Sequence, residues 1–229
     1  MRVAAGTLIT IEGLDGAGKT TLADALAREI ASRGHAVAVL REPGGVALSE
    51  RIRALVKDPS LAVSPRTEAL LYAAARAQLV AERLQPLLAH GTFVILDRFV
   101  DSSLAYQGAG RTLGVEEVRT VNEFATGGLQ PDRTLLLRIS PAAGRKRQQG
   151  RGRELELLGE TGAGPDRLEQ EDDGFFEAVG AAYEELARAQ PQRIRSLDAS
   201  QAPERVLRDA LAALEDLLAA AGPQATRAG

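Results

Sequence analysis

Five short runs of apolar and β-branched residues punctuate the chain: Thr7–Glu12, Val37–Arg41, Phe93–Asp97, Thr134–Ile139 and Arg193–Leu197. Each is too short for a helix and is bounded by turn or polar residues, the pattern of a strand buried on both faces of a parallel sheet. Between them apolar positions recur at helical spacing. This predicts helices over Leu22–Ser32, Ala47–Val56, Val115–Thr126, Ala142–Gln149, Gly174–Ala189 and Pro203–Ala221. A longer one is predicted over Arg66–Ala89, where Leu70, Leu71, Ala74, Leu79 and Leu84 supply an apolar face. Pro86 lacks an N–H and should bend the last turn of that helix. Strand alternating with helix predicts an α/β fold, a five-stranded parallel sheet flanked by helices. Ligand-binding loops then gather at the carboxyl ends of the strands. Residues 1–221 read as a single domain and 222–229 as a frayed tail.

The first strand runs into Gly13-Leu14-Asp15-Gly16-Ala17-Gly18-Lys19-Thr20, with Thr21 following in the next helical pattern. This is G-x-x-x-x-G-K-[ST] in its strand-loop-helix context, a phosphate-cradling P-loop. Backbone N–H groups and the helix N-terminus favour a polyphosphate there. Lys19 would reach the β- and γ-phosphates, and the Thr20 hydroxyl would ligate Mg²⁺.

Composition narrows the classes. The 229 residues are 45% hydrophobic and 26% charged, enough for one sizeable core. A net charge of −3 gives no long-range attraction for nucleic acid. Cysteine is absent, so neither a disulfide framework nor a thiolate metal site is available. The two histidines, His35 and His90, each lie beside a glycine at a helix end and read as solvated loop residues. No signal segment or membrane-length apolar run is found, so a cytoplasmic enzyme is expected.

Four further stretches carry chemistry. Val94-Ile95-Leu96-Asp97 is an apolar strand ending in a carboxylate, the place where P-loop enzymes hold Mg²⁺, and Arg98 adds a fixed cation beside it. Arg41-Glu42-Pro43-Gly44-Gly45 predicts a sharp turn that could approach a ligand or merely join strand to helix. Tyr72 and Arg76 share a helix face, where they could stack on and read a flat base. A core aromatic beside a surface arginine fits the same pattern. Residues 144–153 hold five basic residues and no acidic one, and the acid-rich, glycine-bearing 154–173 follows. This predicts a mobile lid over about 144–170 that closes arginines over phosphates.

Taken in order, these stretches resemble the thymidylate kinase family of P-loop kinases. The resemblance rests on Glu12-Gly13-Leu14-Asp15-Gly16, Arg41-Glu42-Pro43-Gly44-Gly45 and Tyr72-Ala73-Ala74-Ala75-Arg76-Ala77-Gln78. It extends through Asp97-Arg98-Phe99-Val100-Asp101-Ser102-Ser103-Leu104-Ala105-Tyr106-Gln107-Gly108 and Asp166-Arg167-Leu168-Glu169, covering roughly residues 7–210. It implies transfer of a phosphoryl group from ATP to dTMP, with Mg²⁺, in a homodimer. Gly13 through Thr21 would bind ATP, and Thr20 and Asp97 the metal. Asp15 would contact the acceptor's 3′-hydroxyl. Pro43 falls in the acceptor site, Tyr72 corresponds to the ring on thymine and Arg76 to the arginine on the base. Arg98 would clamp the dTMP phosphate, Ser102, Ser103 and Gln107 would line the base pocket, and Tyr106 would pack where a 2′-hydroxyl would sit. Glu169 would help order the acceptor or metal. The P-loop lacks an arginine, so Arg147, Arg151 and Arg153 of the lid would serve catalysis. Phe99 departs from the family's usual Tyr or His and removes a polar contact. A deoxynucleoside kinase using Glu42 as base, another nucleoside monophosphate kinase and a non-catalytic nucleotide-binding module remain alternatives. A GTPase switch lacks its N-K-x-D, since Asn122 is the only asparagine.

Overall fold

The computed structural model describes residues 6–157 and 166–221, with backbone alone over 151–157. One sheet of five strands forms the centre: β1 (Thr7–Gly13), β2 (Val37–Arg41), β3 (Phe93–Asp97), β4 (Arg133–Arg138) and β5 (Ile194–Asp198). Their order is β2-β3-β1-β4-β5 and every pairing is parallel. In register, Ile11 lies opposite Asp97 of β3 on one side and Leu135 of β4 on the other. The central position of β1 follows from its sequence, since Leu8, Ile9 and Ile11 are at most 1% exposed. Thr10, buried among them, shares a hydroxyl hydrogen bond with Thr134 at 2.7 Å.

Side chains of a strand alternate between faces, and the core splits accordingly. Ile9, Ile11, Ile95, Leu135 and Leu137 meet Leu22, Leu26 and Ile30 of α1 (Lys19–Ser32) and Val206, Ala210, Leu214 and Leu218 of α9 (Pro203–Ala221). Leu8, Val94, Leu96 and Leu136 face the other way. There they pack with Leu79 of α3 (Pro65–Leu79), Val118 of α6 (Val115–Thr126) and Phe175 and Val179 of α8 (Asp173–Ala189). The remaining helices are α2 (Ala47–Lys57), α4 (Gln85–Ala89), α5 (Val100–Ser103) and α7 (Pro141–Leu157). Ser64 caps α3 by accepting from Thr67 N, and Asp172 caps α8 by accepting from Phe175 N. Among the described residues no helix is long and apolar enough to cross a membrane.

Several expectations shift. The long helix over 66–89 is three pieces: α3, a π-helical turn at Val80–Leu84, and α4. Pro86 cannot donate to the carbonyl of Glu82, so the ladder rearranges one turn ahead of it. A second π-helical turn, Leu104–Gly110, follows α5, where no element was predicted. Helix α7 runs to Leu157, beyond the expected Gln149. His35 is buried, tilted against the Phe93 ring at 4.9 Å, and so is not a solvated residue. The tail at 222–229 and lid residues 158–165 lie outside the described residues.

Candidate active site

Strand β1 ends in the P-loop, and the loop turns on glycines. Gly18 takes φ 94° as it enters α1, and Gly16 takes φ 78°. A Cβ on Gly16 would lie 2.2 Å from the carbonyl oxygen of Gly144 in α7, and one on Gly144 would lie 2.5 Å from that of Asp15. The first turn of the predicted lid thus rests directly on the P-loop backbone, an approach that only paired glycines permit.

Lys19 is buried, and its Nζ donates to the carbonyls of Gly13 (3.1 Å) and Leu14 (3.0 Å), 3.5 Å from Asp15 Oδ1. Burial, helped by the neighbouring Arg98 charge, lowers its pKa. Thr20 Oγ1 donates to Asp97 Oδ2 at 3.0 Å. The hydroxyl that opens α1 and the carboxylate that ends β3 therefore meet beside the loop, although 77 residues separate them. This hydroxyl–carboxylate pair suits a cation that keeps several waters and takes few protein ligands, which is the habit of Mg²⁺. Among the described residues no group of three or more His, Cys, Asp or Glu forms a larger cage.

Arg98 follows Asp97 at φ 70°, a left-handed conformation, and its N–H donates to Ile11 O at 3.0 Å. Its guanidinium donates to Asp15 Oδ1 (2.6 Å), Ser102 Oγ (3.1 Å) and Tyr106 OH (3.2 Å), and lies 4.9 Å from the Tyr106 ring centroid. Burial works to raise the Asp15 pKa, but Arg98 and then Lys19 outweigh it and hold the carboxyl well below the usual range. Glu12 underpins this turn. It is 0% exposed and accepts from Phe99 N (2.7 Å), Ser102 Oγ (2.5 Å) and Tyr183 OH (3.0 Å). Burial, reinforced by Asp101, pushes its carboxyl up to about 7.

Beyond Arg98 the chain forms a second cluster. Arg76 is 2% exposed, which removes the surface-arginine reading. Its Nε donates to Glu42 Oε2 (2.7 Å), Nη1 to Ser103 Oγ (2.9 Å) and to Asn122 Oδ1, and Nη2 to Phe99 O (2.9 Å). Four of the five guanidinium N–H donors are thereby engaged. Phe99 also presents its ring 5.4 Å from the Arg76 guanidinium, so the aromatic that lacks a hydroxyl still braces the arginine. Such a buried ion pair costs about 3–5 kcal/mol when one partner is removed. Burial pushes the Glu42 carboxyl up to about 7 against the pull of Arg76. Tyr72, one helical turn before Arg76, is half-buried. Pro43 is buried after a cis peptide bond, and its carbonyl accepts from Arg53 Nη1 at 2.9 Å. Gln107, 2% exposed, donates to Glu68 Oε1 at 2.8 Å.

The segment after the lid docks on the same side. Arg167 donates to Glu68 Oε2 (2.6 Å), Asp166 pairs with Lys57 (2.7 Å), and Glu169 accepts from Gln148 of α7 (3.0 Å). Arg147 is exposed on α7, while the side chains of Arg151 and Arg153 lie outside the described residues. Arg145 pairs instead with Asp173 of α8.

The structure thus gathers Asp15, Lys19, Thr20, Asp97, Arg98, Ser102 and Tyr106 around one strand end, with Arg76, Ser103 and Gln107 adjoining. Pattern reading missed Glu12, Glu68, Asn122, Arg167 and Tyr183 as parts of this network. For Glu12 a signal existed, a carboxylate inside an apolar strand. Glu68 precedes Tyr72 by four positions and so shares its helix face.

A family model described as thymidylate kinase matches residues 11–210. The chain belongs to the thymidylate kinase family. A thymidylate kinase of Bacillus licheniformis is 45% identical over 214 residues, spanning 93% of this chain and 97% of that one. One from Deinococcus radiodurans is 44% identical over 211 residues, spanning 92% and 97%. Among solved structures, a thymidylate kinase from Ehrlichia chaffeensis superposes with a TM-score of 0.69 at 25% identity, covering 92% of this chain and 99% of that one. That family likeness extends across the sheet, both residue clusters and the segment after the lid.

Proposed function

We propose that this chain transfers the γ-phosphoryl group of ATP to dTMP, giving dTDP and ADP, and that the residues assembled above carry the reaction. The observation that carries the site assignment is the 2.6 Å pair between Asp15 of the P-loop and Arg98 at the end of β3. It joins a loop shaped for a triphosphate to an arginine placed for a second anion. In this reading the backbone from Gly13 to Thr21, including Leu14, Gly16, Ala17 and Gly18, wraps the ATP phosphates. Lys19 leaves its two loop carbonyls to neutralise the β- and γ-oxygens. Thr20 and Asp97 would hold Mg²⁺, which would supply neutralisation of phosphate charge.

Arg98 holds the acceptor phosphate and Asp15 the sugar 3′-hydroxyl. Tyr72 stacks on thymine, and Arg76, Ser103 and Gln107 meet its edge. Ser102 and Tyr106 brace Arg98, and in this reading the Tyr106 ring packs where a 2′-hydroxyl would sit. Pro43 shapes the turn beside the base, and Glu169 ties the lid to the acceptor side. Arg147, Arg151 and Arg153 are the lid arginines proposed to reach the phosphates.

A phosphate monoester is already anionic at neutral pH, so the acceptor needs no strong general base. What the protein must supply is approach of two polyanions and stabilisation of the transferring group in a site with little water. A deoxynucleoside kinase would instead need a free carboxylate base. Glu42, the candidate for that role, is 6% exposed and tied to Arg76.

Self-association is part of the proposal. Phe124 of α6 is 92% exposed and Leu70 of α3 is 59% exposed, on helices that pack together. Those exposed apolar side chains support a homodimer, and sedimentation at micromolar concentration tests it. We place the reaction in the cytoplasm, with no nucleic-acid or membrane partner.

A coupled ADP-release assay with dTMP, dUMP, dCMP, dGMP, UMP and thymidine tests the function. The expected result is acceptor-dependent ADP release with dTMP preferred. Preference for any other acceptor overturns the substrate assignment, and ATP binding without acceptor-dependent turnover overturns the catalytic one.

A further inference from the structure

Glu68 is 0% exposed on α3, yet three hydrogen bonds and one further ion-pair contact converge on its carboxylate. Oε1 takes Gln107 Nε2 at 2.8 Å and Arg111 Nε at 3.3 Å. Oε2 takes Arg167 Nη2 at 2.6 Å and lies 3.2 Å from Arg111 Nη2. Arg111 is shared in turn with Glu171 at 2.6 Å. Two arginines and one glutamine therefore meet one buried carboxylate.

That arrangement dictates which way the Gln107 amide points. A glutamine side chain ends in an acceptor oxygen and a donor NH₂, and either could face a neighbour. An ionised carboxylate has no hydrogen to give, so only the NH₂ can face Glu68. The Gln107 oxygen is left for whatever lies on its other side. On the reading that Gln107 meets the acceptor base, it therefore offers a hydrogen-bond acceptor. Thymine carries a hydrogen on N3, whereas cytosine carries a lone pair there.

We infer that Glu68 is a positioning residue which fixes the orientation of the Gln107 amide and thereby selects a pyrimidine with an N3–H donor over one with an N3 acceptor. This rests on the proposed placement of Gln107 at the base, and the experiment separates the two claims. Glu68 does not itself touch substrate. The unequal sharing makes the device directional: Arg167 holds Oε2 at 2.6 Å, while Gln107 makes the shorter bond to Oε1, at 2.8 Å against 3.3 Å from Arg111 Nε.

Steady-state kcat/KM for dTMP and dCMP is measured on the full chain and on Glu68→Gln, Glu68→Asp and Gln107→Ala. In Glu68→Gln the new amide keeps its oxygen on Arg167 Nη2 and turns its NH₂ towards Gln107, giving up the 3.3 Å bond from Arg111 Nε. Gln107 then reverses and presents its NH₂ to the base. The dTMP:dCMP ratio is expected to fall by about tenfold or more, the worth of one misdirected hydrogen bond. Glu68→Asp keeps an acceptor-only group, so its ratio should stay within about threefold of wild type, which is under 1 kcal/mol. Equal losses for both acceptors in Glu68→Gln, as a purely structural role would give, overturn the inference. If Glu68→Gln does not fold, Glu68→Asp decides: a ratio held supports the inference, and a fall of about tenfold, the signal of a lost hydrogen bond, overturns it. An unchanged ratio in Gln107→Ala overturns the placement of Gln107, and the inference with it. A fall in Gln107→Ala without one in Glu68→Gln overturns the inference alone.

Discussion

Arg98 pays for its position in backbone conformation, and a pair of substitutions measures how much. With φ at 70°, its Cβ crowds the following carbonyl, a penalty of about 1–2 kcal/mol that glycine escapes. The conformation is held from outside the side chain, by Arg98 N on Ile11 O at 3.0 Å and Phe99 N on Glu12 Oε1 at 2.7 Å. Arg98→Ala and Arg98→Gly lose the same guanidinium bonds and differ at the Cβ. Glycine's freer unfolded chain returns about 0.4–1 kcal/mol of the relief. Arg98→Gly should therefore be more stable than Arg98→Ala by about 0.8 kcal/mol, the difference between the midpoints of the two ranges. For a chain of this size that is a difference in Tm of about 1–4 °C. Phosphoryl transfer should fall about 10²–10³-fold in both, the usual loss when one preorganised charge donor is removed. Urea unfolding at matched slope and a coupled assay at saturating ATP read the two quantities separately. An alanine variant as stable as the glycine one refutes the strain argument. Wild-type kcat/KM in either variant refutes the clamp.

Gly144→Ala puts a methyl 2.5 Å from the Asp15 carbonyl, so α7 must back away from the P-loop. We expect kcat/KM to drop about tenfold or more through misplacement, while helix propensity favours the alanine by about 1 kcal/mol. Unchanged kinetics would show that the contact is incidental. Glu12 titrates at about 7 in the fold against an ordinary 4.5, so the folded state binds its proton more tightly than the unfolded one. The resulting stability is complete below pH 4.5 and is lost as pH rises to about 7, a difference of 2.5 units worth at most about 3 kcal/mol. Glu12→Gln mimics the protonated form, so its stability should be flatter across that window, as read by denaturant unfolding at several pH values. Parallel profiles for variant and wild type would count against the burial argument.

Hydrophobic pattern alone located all five strands to within a residue or so, because strands buried on both faces leave continuous apolar runs. It did not foresee the π-helical turns. One arises from a missing donor at Pro86, whose cost is settled by the packing of Leu79 and Leu84. The other lies in Leu104–Gly110, where alanine and glycine blur any period. The phosphate loop was legible because its spacing is a mechanism in itself. The meeting of Thr20 and Asp97 was legible from the P-loop itself, which calls for a carboxylate at a later strand end, whereas Asp15 and Arg98 were brought to one acceptor only by the family resemblance, since nothing local announces which strand ends are neighbours. Charged residues such as Glu12 and Glu68 were passed over for a different reason. In sequence a carboxylate reads as surface, and only the donors that converge on it in three dimensions reveal why it is buried.

The course of α9 has a practical consequence. Asp216, late in that helix, reaches Arg133 at the start of β4 at 2.6 Å, and Glu215 lies 3.7 Å from Arg33 at the end of α1. The described chain therefore finishes near the amino-terminal ends of the strands, a full strand length from Lys19, Asp97 and Arg98. A fluorophore or a bead attached at an exposed position late in α9, such as Glu215, would leave the mouth of the site facing open solution. A preparation tethered through that helix should keep its substrates' access, which suits the molecule to flow-cell measurements of turnover.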